Sequence, residues 1–239
     1  MKTCIAICLG FFGCALLFGQ GTPWGGGVPV DYNLEGNSST ERLFSYPSHR
    51  FQQPYQANHF VSPSQAGGVL LQSISFRLDA VNGATFSRVL TNMQINLSVT
   101  PRPTDSLSPV FADNIGINAS TVFSGSPSVF AAYSPGLSPQ SFEIHFLLDQ
   151  PYLYRPSDGN LLMDFQTREG FVFAQLDAWL RNSDGVGSVY GNLDSPAGQA
   201  STLGLVTFFS GTLVPEPSTC VLLVLGAITF CFFGWRKRT

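Results

Sequence analysis

Charged residues are scarce in this chain of 239 residues, where Asp, Glu, Lys and Arg make up 11%, less than half of the usual share. Between Thr22 and Val214 there is no lysine, and eight arginines stand against fourteen acidic residues, which leaves this segment at −6. Nucleic-acid binding depends on clustered Lys and Arg side chains. The composition therefore argues against nucleic acid as a partner.

Cysteine is missing from the same segment. All five cysteines lie in the two apolar ends of the chain, at Cys4, Cys8, Cys14, Cys220 and Cys231. The body between these ends therefore forms no disulfide, no cysteine-ligated zinc site and no cysteine nucleophile. Its stability must come from buried apolar side chains, for which a segment of about 190 residues is long enough.

Known catalytic motifs are also absent. The chain contains no Gly-x-Ser-x-Gly elbow, no His-Glu-x-x-His helix and no phosphate-binding loop. Glu143 and His145 form the one acid and histidine pair with a suggestive spacing, since residues two apart share one face of a strand. A solvated strand face is the simpler interpretation and a hydrolase site the alternative. We expect no catalytic residue, no cofactor and no metal site.

The N-terminus has the three parts of a secretory signal. Lys2 supplies the positive charge, the apolar run extends from Cys4 to Phe18, and Gly19-Gln20-Gly21 offers a small-x-small cleavage site. Residues 1–21 are therefore predicted to be a signal peptide that is cleaved after Gly21. A lipoprotein signal that uses Cys14 is the alternative.

The C-terminus combines three features in a fixed order. Pro215-Glu216-Pro217 precedes an uncharged apolar run over residues 219–234, and Arg236, Lys237 and Arg238 follow. As a helix the run would extend about 24 Å, slightly less than the hydrocarbon core, so it can cross where the bilayer thins locally. Basic residues directly after such a run stay in the cytoplasm, which places the body outside. We predict a transmembrane helix over residues 219–234.

This order closely resembles the PEP-CTERM protein-sorting signal. Pro215, Glu216 and Pro217 match the tripeptide that names the family, and Arg236, Lys237 and Arg238 match its basic tail. The resemblance implies that residues 214–239 are recognised by an exosortase, a membrane-embedded transpeptidase, and that the helix is removed. It leaves the body unassigned, because the same tail is attached to many unrelated domains. An ordinary single-span anchor is the alternative.

Most of the body alternates apolar and polar residues, as strands with one buried face require. Met93 to Thr100 alternates for eight residues without a fault, and further strands are predicted at Phe171–Phe173 and Leu203–Phe209. The other predicted inward sets are Ile74, Phe76 and Leu78; Phe142, Ile144 and Phe146; and Leu161, Met163 and Phe165. Gly, Pro, Asn and Asp separate these runs. The pattern predicts an all-β body over residues 33–213, an antiparallel β-sandwich or jelly roll.

Two segments lack this pattern. Residues 22–32 contain Gly25-Gly26-Gly27 and two prolines, a composition that is typical of a flexible linker. Residues 33–65 are rich in Ser, Asn, Gln and Pro, and we predict a single strand there, around Glu41 to Phe44.

One aromatic segment is a candidate glycan site. Tyr152 and Tyr154 lie on one side of an extended stretch, shortly before the turn Asp158-Gly159-Asn160. Sugar rings stack on aromatic faces, and planar polar groups bind their hydroxyls. The predicted glycan-binding residues are therefore Tyr152, Tyr154, Asp158 and Asn160. The alternatives are tyrosines packed at a sheet edge, with an ordinary Asp-Gly turn or a calcium-binding turn beside them.

These observations together predict an exported protein of the cell envelope or extracellular matrix. Its partners would be the membrane and an exosortase through the C-terminal tail, and its body would be non-enzymatic. A surface glycan-binding module that contacts extracellular polysaccharide is the alternative, and a hydrolase comes third.

Overall fold

The computed structural model describes residues 22–44, 48–60, 67–168 and 174–214. Within these ranges the chain forms fifteen strands and three short 3-10 helices, and every strand pair is antiparallel. The strands are β1 Pro23–Val28, β2 Ser38–Thr40, β3 His49–Tyr55, β4 Val69–Phe76, β5 Phe86–Val89, β6 Met93–Thr100, β7 Ser120–Gly125, β8 Ser128–Ala131, β9 Ile144–Tyr154, β10 Asn160–Thr167, β11 Leu176–Leu180, β12 Ser188–Asn192, β13 Gln199–Ser201, β14 Leu203–Leu205 and β15 Thr207–Leu213. The 3-10 helices are Ala57–His59, Phe111–Asn114 and Pro156–Asp158. The all-β class predicted from the alternation is confirmed.

Two large sheets carry the fold. The four-stranded sheet has the order β1-β15-β4-β9, and the six-stranded sheet has the order β13-β12-β3-β10-β6-β7. Two smaller sheets, β14-β11-β2 and β5-β8, complete the described part. Many neighbouring strands are far apart in the chain, so the topology depends on long-range pairing.

One large apolar cluster joins the two large sheets. The rings of Tyr55 on β3 and Phe209 on β15 meet edge-on, with their centroids 4.9 Å apart. Phe146 on β9 and Phe165 on β10 form a second edge-on pair at 6.2 Å. All four side chains are buried. Because each pair takes one ring from each sheet, the same core lies against both sheets.

Most of the predicted inward residues lie in this core, but Phe142 is only half-buried and lies outside it. β6 has the bounds expected from its alternation, and its Ile95 and Leu97 are fully buried. Ile74 and Phe76 on β4 are fully buried as well. The period-2 pattern therefore identified the correct face of these central strands.

Residues 23–28 correct the prediction of a flexible linker, because they form strand β1. This strand pairs with β15 from Pro23 opposite Thr212 to Val28 opposite Thr207. The Trp24 ring stacks on Phe60 at 5.8 Å, and a Cβ at Gly26 would come within 2.8 Å of that indole. Glycine is flexible in isolation, but here a distant strand supplies the hydrogen bonds and the missing side chain makes room for the tryptophan.

The predicted strand at Glu41 to Phe44 is wrong, since residues 42–44 form a turn. This region instead contains the short strand β2 and the longer β3, which lies inside the six-stranded sheet. Its alternation is hidden because Gln52 and Gln53 are both completely buried. Gln53 donates through Nε2 to the Leu205 carbonyl at 2.9 Å, so a polar residue occupies a position between the sheets.

The two ends of the described body lie side by side. The Leu213 amide donates to the Thr22 carbonyl at 2.8 Å, and the Val214 amide donates to the Gly68 carbonyl at 2.9 Å. Backbone hydrogen bonding therefore continues to the residue before Pro215.

Three predicted features lie outside the described residues: the signal peptide over residues 1–21, the strand at Phe171–Phe173 and the tail over residues 215–239. In the part of the chain that the structure describes, no helix combines the length and the apolar character that a membrane crossing requires.

Candidate functional site

The predicted aromatic glycan site is closed. Tyr152 is 5% exposed and Tyr154 is completely buried, because the side of β9 that they share faces the core. Their hydroxyls donate to the carbonyls of Asn118 and Gly159, at 3.1 and 2.7 Å. Burial raises the pKa of Tyr152 to about 12. The alternation correctly put the two rings on one side, but neither ring offers a face to a sugar.

The Asp158-Gly159-Asn160 turn has a structural role. Both polar atoms of the Asn160 amide are engaged: Oδ1 accepts from the Ala57 amide at 3.1 Å, and Nδ2 donates to the Arg102 carbonyl at 3.2 Å. Gly159 has a φ of 128°, which a glycine adopts readily. The turn leads from β9 in one large sheet to β10 in the other, so it is not a hairpin. Asp158 is exposed and remains the single predicted member open to solvent.

The Glu143 and His145 pair is exposed and already hydrogen-bonded. Glu143 Oε2 accepts from the Ala132 amide at 2.7 Å, and His145 Nδ1 lies 2.7 Å from Ser75 Oγ. A serine beside a histidine resembles a nucleophile and its base. Ser75, however, is 3% exposed, so the protein shields its hydroxyl from a substrate. We assign His145 to cross-strand packing between β4 and β9, and Glu143 to a hydrogen bond with the backbone just after β8.

A cluster of three carboxylates has the spacing of a metal site. One oxygen from each of Glu35, Asp79 and Asp177 lies within 4.8 Å of the others. Arg77 donates through Nε to Asp177 Oδ2 at 2.7 Å, and the Gly36 amide donates to Asp177 Oδ1 at 2.9 Å. Burial raises the pKa of Asp177 to about 6, and Arg77 opposes that shift. Both oxygens of Asp177 are thus engaged, and Arg77 supplies the positive charge that a cation would bring.

A polar groove of about 230 Å³ lies on the six-stranded sheet. Its floor consists of side chains on the face that points away from the core, and its walls come from the loop before β7 and from β7 itself. The groove is lined by Arg50, Asn96, Ser98, Ile115, Ala119, Ser120, Thr121, Asp164 and Gln166. Because β3, β10 and β6 are direct neighbours, these side chains meet although they come from distant parts of the chain.

An ion pair fixes the floor of the polar groove. Arg50 donates to Asp164 through two nitrogens, with Nε 2.9 Å from Oδ1 and Nη2 2.6 Å from Oδ2. The Arg50 guanidinium also lies 4.7 Å from the centre of the Phe111 ring. The two side chains are 17% and 4% exposed. The two parallel hydrogen bonds and the ring contact together fix the orientation of the Arg50 guanidinium.

Amide groups beside the pair are also held in place. Asn96 Oδ1 accepts from Gln94 Nε2 and from Thr121 Oγ1, each at 2.7 Å. Gln166 donates through Nε2 to Asp164 Oδ2 at 3.3 Å. Within the described residues, Asn96 uses only its Oδ1 and Gln166 only its Nε2 in hydrogen bonds, which leaves Asn96 Nδ2 and Gln166 Oε1 without partners. The groove therefore presents fixed donors and acceptors that remain free.

Sequence reasoning missed this groove for a specific reason. The alternation of β6 and β10 marks Asn96 and Asp164 as outward residues, but β3 carries no such signal. Without β3 the partner of Asp164 is unknown, so the sequence alone does not bring Arg50 to this position.

Comparison with protein-family models, with curated proteins and with solved structures finds no match for this chain. The predicted sorting residues Pro215, Glu216, Pro217, Arg236, Lys237 and Arg238 lie outside the described residues.

Proposed function

We propose that this chain is an exported protein of the cell envelope or extracellular matrix that an exosortase sorts through its C-terminal tail. The observation that carries the proposal is the order of Pro215-Glu216-Pro217, the apolar run over residues 219–234 and the basic residues 236–238. The prolines favour an extended and accessible peptide, and the basic residues favour a cytoplasmic end. The signal peptide over residues 1–21 would start export, and the tail helix would hold the precursor in the membrane.

In this proposal the body of the protein is a β-sandwich, of which the jelly roll is one form. Support comes from the two large antiparallel sheets and from the apolar cluster that they share. Its role is binding or structural rather than catalytic, since the Ser75 hydroxyl beside His145 is shielded and Glu143 is occupied by a backbone amide.

The position of the two ends of the described body supports the sorting model. Strand pairing brings Thr22 next to Leu213, and the Val214 amide is bonded to Gly68. The four residues 215–218 therefore separate the folded body from the predicted helix, and fully extended they span at most about 14 Å. The body would sit directly over the membrane, with both processing positions at the same end of the four-stranded sheet.

Mass spectrometry of the protein recovered from cells tests this function, since it identifies both mature ends at once. In a host with an active exosortase we expect an N-terminus at Thr22 and a C-terminus between Val214 and Ser218. In the same host without exosortase the chain should keep Thr239. Recovery of Thr239 in the presence of active exosortase would contradict the proposal and would favour an ordinary anchor.

A charge-neutral tail gives a second test. Replacing Arg236, Lys237 and Arg238 with glutamine should leave the precursor uncleaved or misoriented. The matched control replaces two exposed arginines of the body, Arg88 and Arg168, with glutamine. Processing of the control should be normal.

A further inference from the structure

We propose that the polar groove on the six-stranded sheet binds a neutral, hydroxyl-rich sugar of a polysaccharide. The proposal goes beyond export and sorting, and it does not depend on them. It also moves the glycan site away from Tyr152 and Tyr154, whose rings are buried, to the open face formed by β3, β10, β6 and β7.

The size of the groove favours a single sugar unit. Pockets for drug-sized ligands usually measure roughly 300–1,000 Å³, whereas this groove measures about 230 Å³. It is therefore smaller than such pockets and has room for one sugar ring. Ile115, which is 37% exposed, supplies an apolar wall against which the C–H groups of such a ring can pack.

The polar groups of the groove match sugar hydroxyls. A hydroxyl both donates and accepts, so its binding site needs donors and acceptors close together. The groove supplies a donor at Asn96 Nδ2 and an acceptor at Gln166 Oε1, whereas the hydroxyl of Ser98 is shielded by burial. The Asn96 amide is held by hydrogen bonds to Gln94 and Thr121. Binding therefore costs little side-chain entropy at this residue.

The electrostatics favour a neutral ligand. The charge of Arg50 is balanced by Asp164 through two hydrogen bonds, so the floor of the groove carries no net charge. The segment from Thr22 to Val214 is strongly acidic. An anionic polysaccharide would be repelled by the body and would find no unpaired cation in the groove.

An ordinary solvated sheet face does not account for this arrangement. Polar residues on such a face remain exposed to water. Here Asp164 and Ser98 are 3% and 4% exposed, although neighbouring groups in the groove lack partners. Burying an ion pair costs desolvation free energy, and Asp164 of this pair also accepts a hydrogen bond from Gln166 at 3.3 Å.

Affinity electrophoresis of the full chain in mild detergent tests the proposal. The gels contain dextran or galactomannan as neutral probes, or alginate as an anionic probe. We expect retardation by at least one neutral probe and none by alginate. Asn96→Ala should weaken the apparent affinity about fivefold, as expected for one lost hydrogen bond. Ala119→Leu, which fills the groove from its wall, should abolish the retardation.

Two matched variants serve as controls. Gln72→Ala removes an exposed amide of β4 in the other large sheet, and Ala200→Leu enlarges an exposed alanine of β13. Both should migrate like the unmodified protein. Retardation that survives in both groove variants would overturn the site. Retardation by alginate alone would overturn the ligand class, and retardation by none of the probes would overturn the proposal as a whole.

Discussion

Two arginine–aspartate pairs in this protein lie in different surroundings. Arg77 and Asp177 are 2% and 0% exposed, while Arg50 and Asp164 are 17% and 4% exposed. Arg77 also donates to the carbonyls of Tyr32 and Leu34, so backbone groups take up the rest of its guanidinium. Around Arg50, by contrast, side chains with free polar atoms line an open groove.

The difference separates a structural pair from a pair beside the proposed binding groove. Arg77 follows β4 and bonds to Asp177 on β11 and to the Tyr32 carbonyl in the segment after β1. Its hydrogen bonds therefore hold parts of the fold together. Asp164 and Arg50 also satisfy each other, but they leave a concave polar surface above them. A buried ion pair is therefore not by itself a sign of a binding site. What distinguishes the two pairs is whether polar atoms without partners lie beside them.

The largest effect is expected for Arg77→Met. The variant leaves Asp177 buried without its counter-charge and frees two backbone carbonyls, so the free energy of unfolding should fall by about 3–5 kcal/mol. Urea denaturation of the purified protein measures the loss. Arg88→Met, which changes an exposed arginine of β5, is the control and should cost little. A loss below that of Arg50→Met would show that the Arg77 pair is not structural.

A third buried carboxylate extends the comparison, because Asp184 lacks an arginine bond. It is 4% exposed, and its Oδ2 has no hydrogen-bond partner. Burial raises the pKa of Asp184 to about 6 from an ordinary value of 3.8. The folded state thus holds the proton more tightly than the unfolded state. This contribution to stability is complete below about pH 4 and is lost as the pH rises through about 6.

Asp184→Asn should therefore stabilise the protein at neutral pH by roughly 1–2 kcal/mol, with no gain near pH 4. The measurement is the difference in unfolding free energy between variant and unmodified protein at the two pH values. Burial lowers the pKa of His49 to about 4, which gives the opposite slope. That slope is common to both proteins and cancels in the difference. An equal difference at both pH values would contradict the raised pKa.

A smaller effect than that of Arg77→Met is expected for Arg50→Met. Arg50 is 17% exposed, so water can partly replace its bonds to Asp164, and the loss should be about 1–2 kcal/mol, typical of hydrogen bonds to a charged group. The same denaturation assay applies, again with Arg88→Met as the control. A loss as large as that of Arg77→Met would mean that the groove pair supports the fold as strongly as the buried pair.

No effect at all is expected from reductant. The segment from Thr22 to Val214 has no cysteine, so no disulfide within it stabilises either arginine–aspartate pair. Thermal unfolding with and without dithiothreitol checks this point. A clear fall in the midpoint with reductant would mean that the cysteines at the chain ends contribute to the stability of the body.

The amino-acid sequence by itself determined the all-β class and the inward faces of its best-patterned strands. A strand with one buried face must alternate, so Leu97 and Ile74 could be placed in the core from local order alone. The sequence also shows that the body contains no cysteine and therefore no disulfide. The sorting tail rests on local order too, and it stays a prediction.

Only the tertiary structure decided which polar residues meet. The Gly-rich strand β1 exists because β15, near the other end of the body, supplies its hydrogen bonds. Arg50 reaches Asp164 because β3 pairs with β10 across more than a hundred residues. Tyr152 and Tyr154 are buried because they lie on the side of β9 that faces the core. Periodicity reports that a strand has two faces, but the pairing of distant strands determines what each face contacts.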